Sequence, residues 1–303
     1  MKQIDINQAV GMMVGLAVGD ALGASLEFTD AREPANYLRE YGTGGIWGVK
    51  EGEWTDDTAM AYAMACAIRD KKEFNPYAIM DNFVKWKMQG DFIPRGVCFD
   101  IGNTTSRAIE DYMYQPYTPY KGREGERESG NGGLMRIAPA IISASSREMA
   151  IAQGIQSTLL THGSQTCVDY SRAFSEELFM GVPLQKYRNI RLPKDTDRND
   201  VKSGGYVVET YQCAMWSFYN TDNFADCIIT AVNRGHDADT SGAVAGMIAG
   251  VYYGHDAIPN HFKDKLMWHD KLVEVAQDLH SMEKYNSVSY THLRAHETGR
   301  NVV

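Results

Sequence analysis

The hydrophobic pattern of this chain is helical over most of its length. Two stretches are the most regular. Residues 7–27 carry Gly11, Gly15, Gly19 and Gly23 at four-residue spacing among apolar neighbours, and residues 242–254 carry Gly242, Gly246, Gly250 and Gly254 in the same way. That spacing lines the glycines along one ridge of a helix, where a second backbone can approach closely. An interior Gly costs about 1 kcal/mol of helix propensity relative to Ala, so two such ridges predict packing that requires them. The two helices are expected in the core, one against the other. A membrane GxxxG reading fails, because Asp20 and Glu27 interrupt the first segment and the second is too short for a bilayer.

Helices are also predicted over 57–70, 77–89, 104–112, 147–161, 167–180, 205–219 and 223–233, and a late amphipathic helix over 263–279. No alternating run of strand length is found. Residues 114–130, rich in Tyr, Pro, Gly and charge, and the charged residues 188–203 read as loops. No linker interrupts the pattern. The expectation is an all-α, compact single domain over residues 1–285 with buried glycine-ridge helices. The segment 286–303 stands apart. Its residues 288–298 lack apolar periodicity and resemble a translated sequencing adapter, so the tail reads as non-native or disordered, and His292 and His296 are set aside.

Composition narrows the function classes. Of the 303 residues, 44% are hydrophobic and 23% charged, which is ordinary for a globular chain. A net charge of -9 speaks against a nucleic-acid partner, since phosphate contacts need clustered Lys and Arg. Cys66, Cys98, Cys167, Cys213 and Cys227 are scattered with no CxxC pair, which excludes a structural zinc motif and fits a reducing compartment. The N-terminus lacks the basic and apolar regions of a signal peptide, and no apolar run reaches the roughly 18 residues of a membrane span. A cytoplasmic, soluble monomer is expected.

The candidate chemistry lies in two acidic clusters. Thr55, Asp56, Asp57 and Thr58 follow Trp54 and open one apolar helix; Asp237, Asp239 and Thr240 open the second glycine-ridge helix. A single Asp or Thr in such a place is an ordinary N-cap, but adjacent Asp residues exceed what a cap needs. Asp237, Asp239, Ser241 and Gly242 mimic the start of an EF-hand calcium loop, yet position twelve is Ile248 where that loop needs Glu. What remains is a set of hard oxygen donors suited to magnesium or manganese. Two clusters brought together by the glycine helices can hold two ions about 3.5–4 Å apart. Asp20 and Glu27, seven residues apart, would share a face of one helix. Asp100 precedes an amide-rich turn. Asn131, Gly132 and Gly133 precede Arg136, and free backbone N–H groups there could meet a phosphate, although neither turn is a Walker loop. His162 reads by itself as a helix-terminal residue.

Taken in order, these motifs resemble the ADP-ribosylglycohydrolase family, most closely its bacterial branch. The likeness rests on residues 15–23 with Glu27 and Phe28, then 54–58, 100–102, 131–136, Thr161 with His162, 205–210 and 237–240, and spans about residues 4–279. It implies the all-α helical fold of that family and a binuclear magnesium or manganese centre ligated by Thr55, Asp56, Asp57, Asp237, Asp239 and Thr240. It further implies Glu27 beside the metals and Asp100 at the ribose, one of them the general acid–base. The Asn131, Gly132 and Gly133 turn would hold diphosphate and ribose, His162 would line the pocket, and Tyr206 would lie near the adenine. The implied activity is hydrolysis of ADP-ribose from a modified protein side chain, N-linked to arginine. Serine-linked ADP-ribose, O-acetyl-ADP-ribose and a non-catalytic ADP-ribose sensor are the alternatives. Two departures from the family pattern are His236, where a second glycine is usual, and Ser241, where an aliphatic residue is usual.

Overall fold

The structure, a computed structural model, describes residues 4–282; the tail 286–303 lies outside them. Among the described residues twelve α-helices follow in order: α1 (Ile6–Gly23), α2 (Asp56–Lys71), α3 (Pro76–Gln89), α4 (Asn103–Tyr114), α5 (Ala138–Ile142), α6 (Arg147–Leu159), α7 (Gln165–Met180), α8 (Val207–Tyr219), α9 (Phe224–Val232), α10 (Ala238–Tyr253), α11 (Asn260–Lys263) and α12 (His269–Ser281). Among the described residues there is no strand, only isolated bridges such as Gly130 with Tyr206. The fold is all-α.

The centre is the α1–α10 pair. The two glycine ridges meet face to face and run antiparallel. A Cβ placed on Gly11, Gly15 or Gly19 would stand 2.3, 2.3 or 1.9 Å from the carbonyl oxygens of Gly250, Gly246 or Gly242. The contact is reciprocal, with Gly246 against the Gly15 carbonyl at 1.9 Å. No other residue permits that approach, so the cost in helix propensity is offset by backbone packing that a side chain would prevent. The antiparallel sense sets the C-terminal end of α1 beside the N-terminal end of α10. Around this pair, α2 and α12 pack on α1, and α8 and α9 pack on α10.

Three expectations need correction. α1 stops at Gly23, and a 3-10 turn, Ala24–Leu26, follows it; Glu27 therefore lies beyond the helix and does not share a face with Asp20. The single late helix over 263–279 is two, α11 and α12. Trp268 sits between them in the left-handed region at φ 59°, where Trp54 Nε1 donates to the Met267 carbonyl at 2.9 Å and the Trp54 and Trp268 rings meet at 5.6 Å. Third, Ile6–Leu26 does have the length and hydropathy of a membrane span, but 94% of it is buried inside the fold. It is the core helix, and its apolar character answers to α10.

Candidate functional site

α2 begins at the mouth of the central pair, and the way it is capped fixes the first acidic cluster. The N-cap residue Thr55 makes no side-chain cap bond of its own. The cap comes from α1. Asp20 accepts from the backbone N–H of Thr55 at 2.9 Å and of Thr58 at 3.0 Å, and from the Thr58 hydroxyl at 2.6 Å. A carboxylate satisfies orphan donors at a helix start wherever it comes from. Here it also ties the α2 N-terminus to α1, so Asp56 and Asp57 emerge at a defined point.

The second cluster meets the first there. The Thr55 hydroxyl lies 3.1 Å from Asp57 Oδ2 and 3.2 Å from Asp239 Oδ2, and Thr240 Oγ1 lies 3.4 Å from Asp57 Oδ2. The other carboxylate oxygens, Asp57 Oδ1 and Asp239 Oδ1, are buried and have no hydrogen-bond partner. Asp20, Asp57 and Asp239 each place an oxygen within 4.8 Å of the other two, and so do Glu27, Asp100 and Asp239. The two groups share Asp239. Burial raises the carboxyls of Asp56, Asp57 and Asp239 well above their usual range, and neighbouring carboxylates raise them further. Burial also lifts Asp20 to about 6 and Glu27 to about 7, and drives Asp100 far upward, with the Asp56 and Asp239 charges adding to it. So many carboxylates cannot all ionise in one dry place unless a cation neutralises them. Orphaned oxygens, hydroxyls and carboxylates form a hard donor set that fits magnesium or manganese and does not fit a soft metal.

These groups open onto a cavity of about 400 Å³. Asp56, Asp237, Asp239 and Thr240 line it with Glu27 and Asp100, and among the described residues no Lys or Arg does. Glu27 Oε2 accepts from the indole N–H of Trp47. Phe28, Asp100 and His236 also line the cavity, and each is a non-glycine residue in the left-handed region, at φ 58°, 64° and 53°. Such residues persist only where their surroundings hold them, and they collect at functional sites. Phe28 N–H donates to the His236 carbonyl at 2.6 Å, and His236 N–H donates to the Thr29 carbonyl at 2.8 Å. The cavity edge after α1 is thereby joined to the edge before α10. The His236 side chain is exposed there.

The opposite wall is the glycine turn. Asn131 and Gly132 line the cavity, and Asn131 Nδ2 lies 2.8 Å from both Asp237 Oδ2 and Thr210 Oγ1. The hydrogen bond between Asn131 and Asp237 links the turn to the second acidic cluster. His162 lines the same wall, 3% exposed. Gly133 faces elsewhere: a Cβ on it would meet Thr158 at 2.7 Å. Tyr206 is joined to Gly130 through its backbone, but its side chain is not part of the cavity wall. Thr55 and Asp57 lie beneath the cavity, fully buried.

Several residues of the site carried no readable signal. Asp20 was visible as an acid near a glycine ridge, but its role as the cap of a helix 35 residues on depends on tertiary contact. Trp47 lies in an irregular segment with no motif. Arg136 follows the glycine turn in sequence but does not face a ligand there. It is fully buried and holds the Gly132 carbonyl from inside the protein.

Comparison with known proteins adds four likenesses. The family model for ADP-ribosylglycohydrolase matches residues 1–287. The chain is 33% identical over 296 residues to the ADP-ribosylarginine hydrolase Tri1 of Serratia proteamaculans (strain 568), covering 91% of this chain and 80% of that protein. It is 34% identical over 278 residues to the ADP-ribosyl-[dinitrogen reductase] glycohydrolase of Rhodospirillum rubrum, covering 86% and 90%. A solved structure described as an ADP-ribosylglycohydrolase-related protein complex superposes with a TM-score of 0.78 at 29% identity, over 93% of this chain and 99% of that one.

Proposed function

Because the chain belongs to the ADP-ribosylglycohydrolase family, we propose that it is a metal-dependent hydrolase that frees ADP-ribose from modified protein side chains, with arginine as the preferred linkage. The linkage rests on the relative from Serratia proteamaculans, whose name specifies ADP-ribosylarginine. The observation that carries the metal is the pair of orphaned, buried oxygens, Asp57 Oδ1 and Asp239 Oδ1, beside two hydroxyl-bearing residues. Asp56, Asp57, Asp237 and Asp239 would hold two Mg²⁺ or Mn²⁺ ions with Thr55 and Thr240. Bound there, such ions supply Lewis acidity, lowering the pKa of a water and polarising ribose hydroxyls.

The chain's own groups do the rest. Glu27, Asp100 and Asp239 each place a carboxylate oxygen within 4.8 Å of the other two, and Glu27 and Asp100 hold and move the proton that water gives up and the leaving guanidine takes. Their carboxylates, with Asp239, offset positive charge that develops on the ribose as its C1″ bond opens. Trp47 fixes Glu27 through its indole N–H. The Asn131 and Gly132 wall receives the diphosphate side of the ligand, and Tyr206, exposed outside the cavity wall beside Gly130, would meet an adenine that extends beyond the cavity.

The test is release of ADP-ribose from an arginine-modified protein with Mn²⁺ or Mg²⁺, against the same reaction after chelation. Turnover is expected to vanish on chelation and to fall roughly 100-fold or more in Asp57→Asn and in Asp239→Asn. Full activity in both variants would remove the metal assignment. Faster release from serine-linked or acetyl-linked substrates would overturn the arginine assignment alone. Tight ADP-ribose binding with no turnover on any of them would overturn the enzyme.

A further inference from the structure

We propose that Arg136 and Thr161 are positioning residues that fix the tautomer of His162, so that its Nε2 presents an N–H donor to an acceptor oxygen of the ligand in the cavity. Arg136 Nη2 donates to Thr161 Oγ1 at 2.7 Å, and a guanidinium can only donate. Thr161 Oγ1 also lies 2.8 Å from His162 Nδ1. Arg136 fills one of the two acceptor positions on the hydroxyl oxygen, and Nδ1 is the acceptor that the hydroxyl's one hydrogen reaches, so Nδ1 carries a lone pair. A neutral imidazole has one N–H, and it falls on Nε2. The opposite tautomer would leave the hydroxyl hydrogen of Thr161, a residue with no exposed surface, without an acceptor, at a cost of about 1–3 kcal/mol.

The surroundings point the same way. His162 stays neutral: burial and the nearby Arg136 charge push it down to about 3. Its Nε2 edge rests against the glycine turn. A Cβ on Gly130 would stand 3.1 Å from Nε2, and one on Gly132 would stand 2.7 Å from the adjacent Cε1. Arg136 holds that turn as well, donating to the Gly132 carbonyl and to the Ser157 carbonyl, the latter at 3.1 Å. One buried guanidinium thus sets both the backbone of the turn and the hydrogen on the imidazole. Among the described residues no Lys or Arg lines the cavity, so an N–H here meets a polar ligand oxygen without adding charge. The same assignment makes Nε2 a donor and not a base: His162 does not accept the proton in the reaction. That the oxygen belongs to ADP-ribose rests on the function proposed above; the tautomer does not.

The experiment is a long-range ¹H–¹⁵N correlation spectrum of ligand-free protein labelled with ¹⁵N-histidine, with His162 assigned by its loss in His162→Gln. The expected pattern is a protonated Nε2 and an unprotonated Nδ1, unchanged between pH 7 and 5. A protonated Nδ1 would overturn the proposal without any variant having to fold. Thr161→Val removes the hydroxyl at nearly constant volume. Its spectrum should show mixed tautomers, and its KM for the modified substrate, or its Kd for ADP-ribose if there is no turnover, should rise about tenfold, the equivalent of one hydrogen bond. kcat should stay within about twofold, because the proton-handling groups Glu27 and Asp100 are untouched. A folded Thr161→Val with unchanged tautomer and unchanged KM would overturn the positioning role.

Discussion

Trp47 reaches Glu27 from a segment that the rest of the molecule holds by its backbone. The segment turns through Gly44, Gly45 and Gly48, all at positive φ. Arg95 then donates to the Trp47 carbonyl at 3.0 Å while gripping Glu53 through two bonds of 2.8 Å. The guanidinium also lies 4.0 Å over the Phe99 ring, next to Asp100. A single bidentate pair therefore braces the donor to Glu27 and the neighbour of Asp100. Trp47→Phe keeps an aromatic ring against Phe99 and deletes the N–H along with part of the indole. The expected result is a fall of about tenfold in kcat with KM little changed and the melting temperature nearly constant, since an outer hydrogen bond to an active-site carboxylate is worth about that much. A kcat equal to wild type would show that Glu27 needs no such fixing. Thr55, Asp56, Asp57, Asp237, Asp239 and Thr240 could be picked out from residue type and helix position because each cluster is local. Trp47 and Asp20 could not, because their partners are set by the fold.

Among the elements, the α1–α10 pair was the most legible, since four-residue glycine spacing has few other uses in a helix that is buried all round. Its consequence for the site is positional. Gly19 lies next to Asp20, and Gly242 lies close after Asp239 and Thr240, so one of the tightest backbone contacts sits immediately under the acidic residues. Gly19→Ala and Gly11→Ala make the same chemical change at opposite ends. Their Cβ atoms would stand 1.9 Å and 2.3 Å from a partner carbonyl. Backbone cannot yield as a side chain tip can, so each is expected to cost about 1–3 kcal/mol or more after the gain in helix propensity. Only Gly19→Ala should also weaken Mn²⁺ binding, because it moves Asp20 and with it the start of α2. Thermal melts with and without Mn²⁺ check this: Gly11→Ala keeps the metal-induced shift and Gly19→Ala loses most of it. Less was legible where helices end. α10 begins at Ala238 and not at Gly242, which puts Asp239 and Thr240 inside the first turn. The break before α12 depends on Trp54, more than 200 residues earlier, and no local pattern carries that information.

At the scale of the whole molecule, the site exists because two distant segments end up antiparallel, and among the described residues after α10 a helix covers one member of that pair, α1. α12 does this directly. Its Leu272, Val275, Ala276 and Leu279 are buried, and the helix packs against α1, α2 and α5. Full burial of the three larger side chains is worth about 5–9 kcal/mol, comparable to the whole stability of an ordinary domain, roughly 5–15 kcal/mol. A chain ending before His269 should therefore fail to fold at all. A chain ending at residue 285 keeps α12 intact, along with all but the last two residues of the family match, which runs to 287. We expect it to melt within about 1 °C of the full chain and to release ADP-ribose at the same rate, because the capped helices, the acidic clusters and the cavity wall all lie before that point. A lower melting temperature with normal turnover would assign residues 286–303 a part in covering the core. Loss of turnover at an unchanged melting temperature would place them at the substrate instead, and the domain would then have to be drawn to the end of the chain.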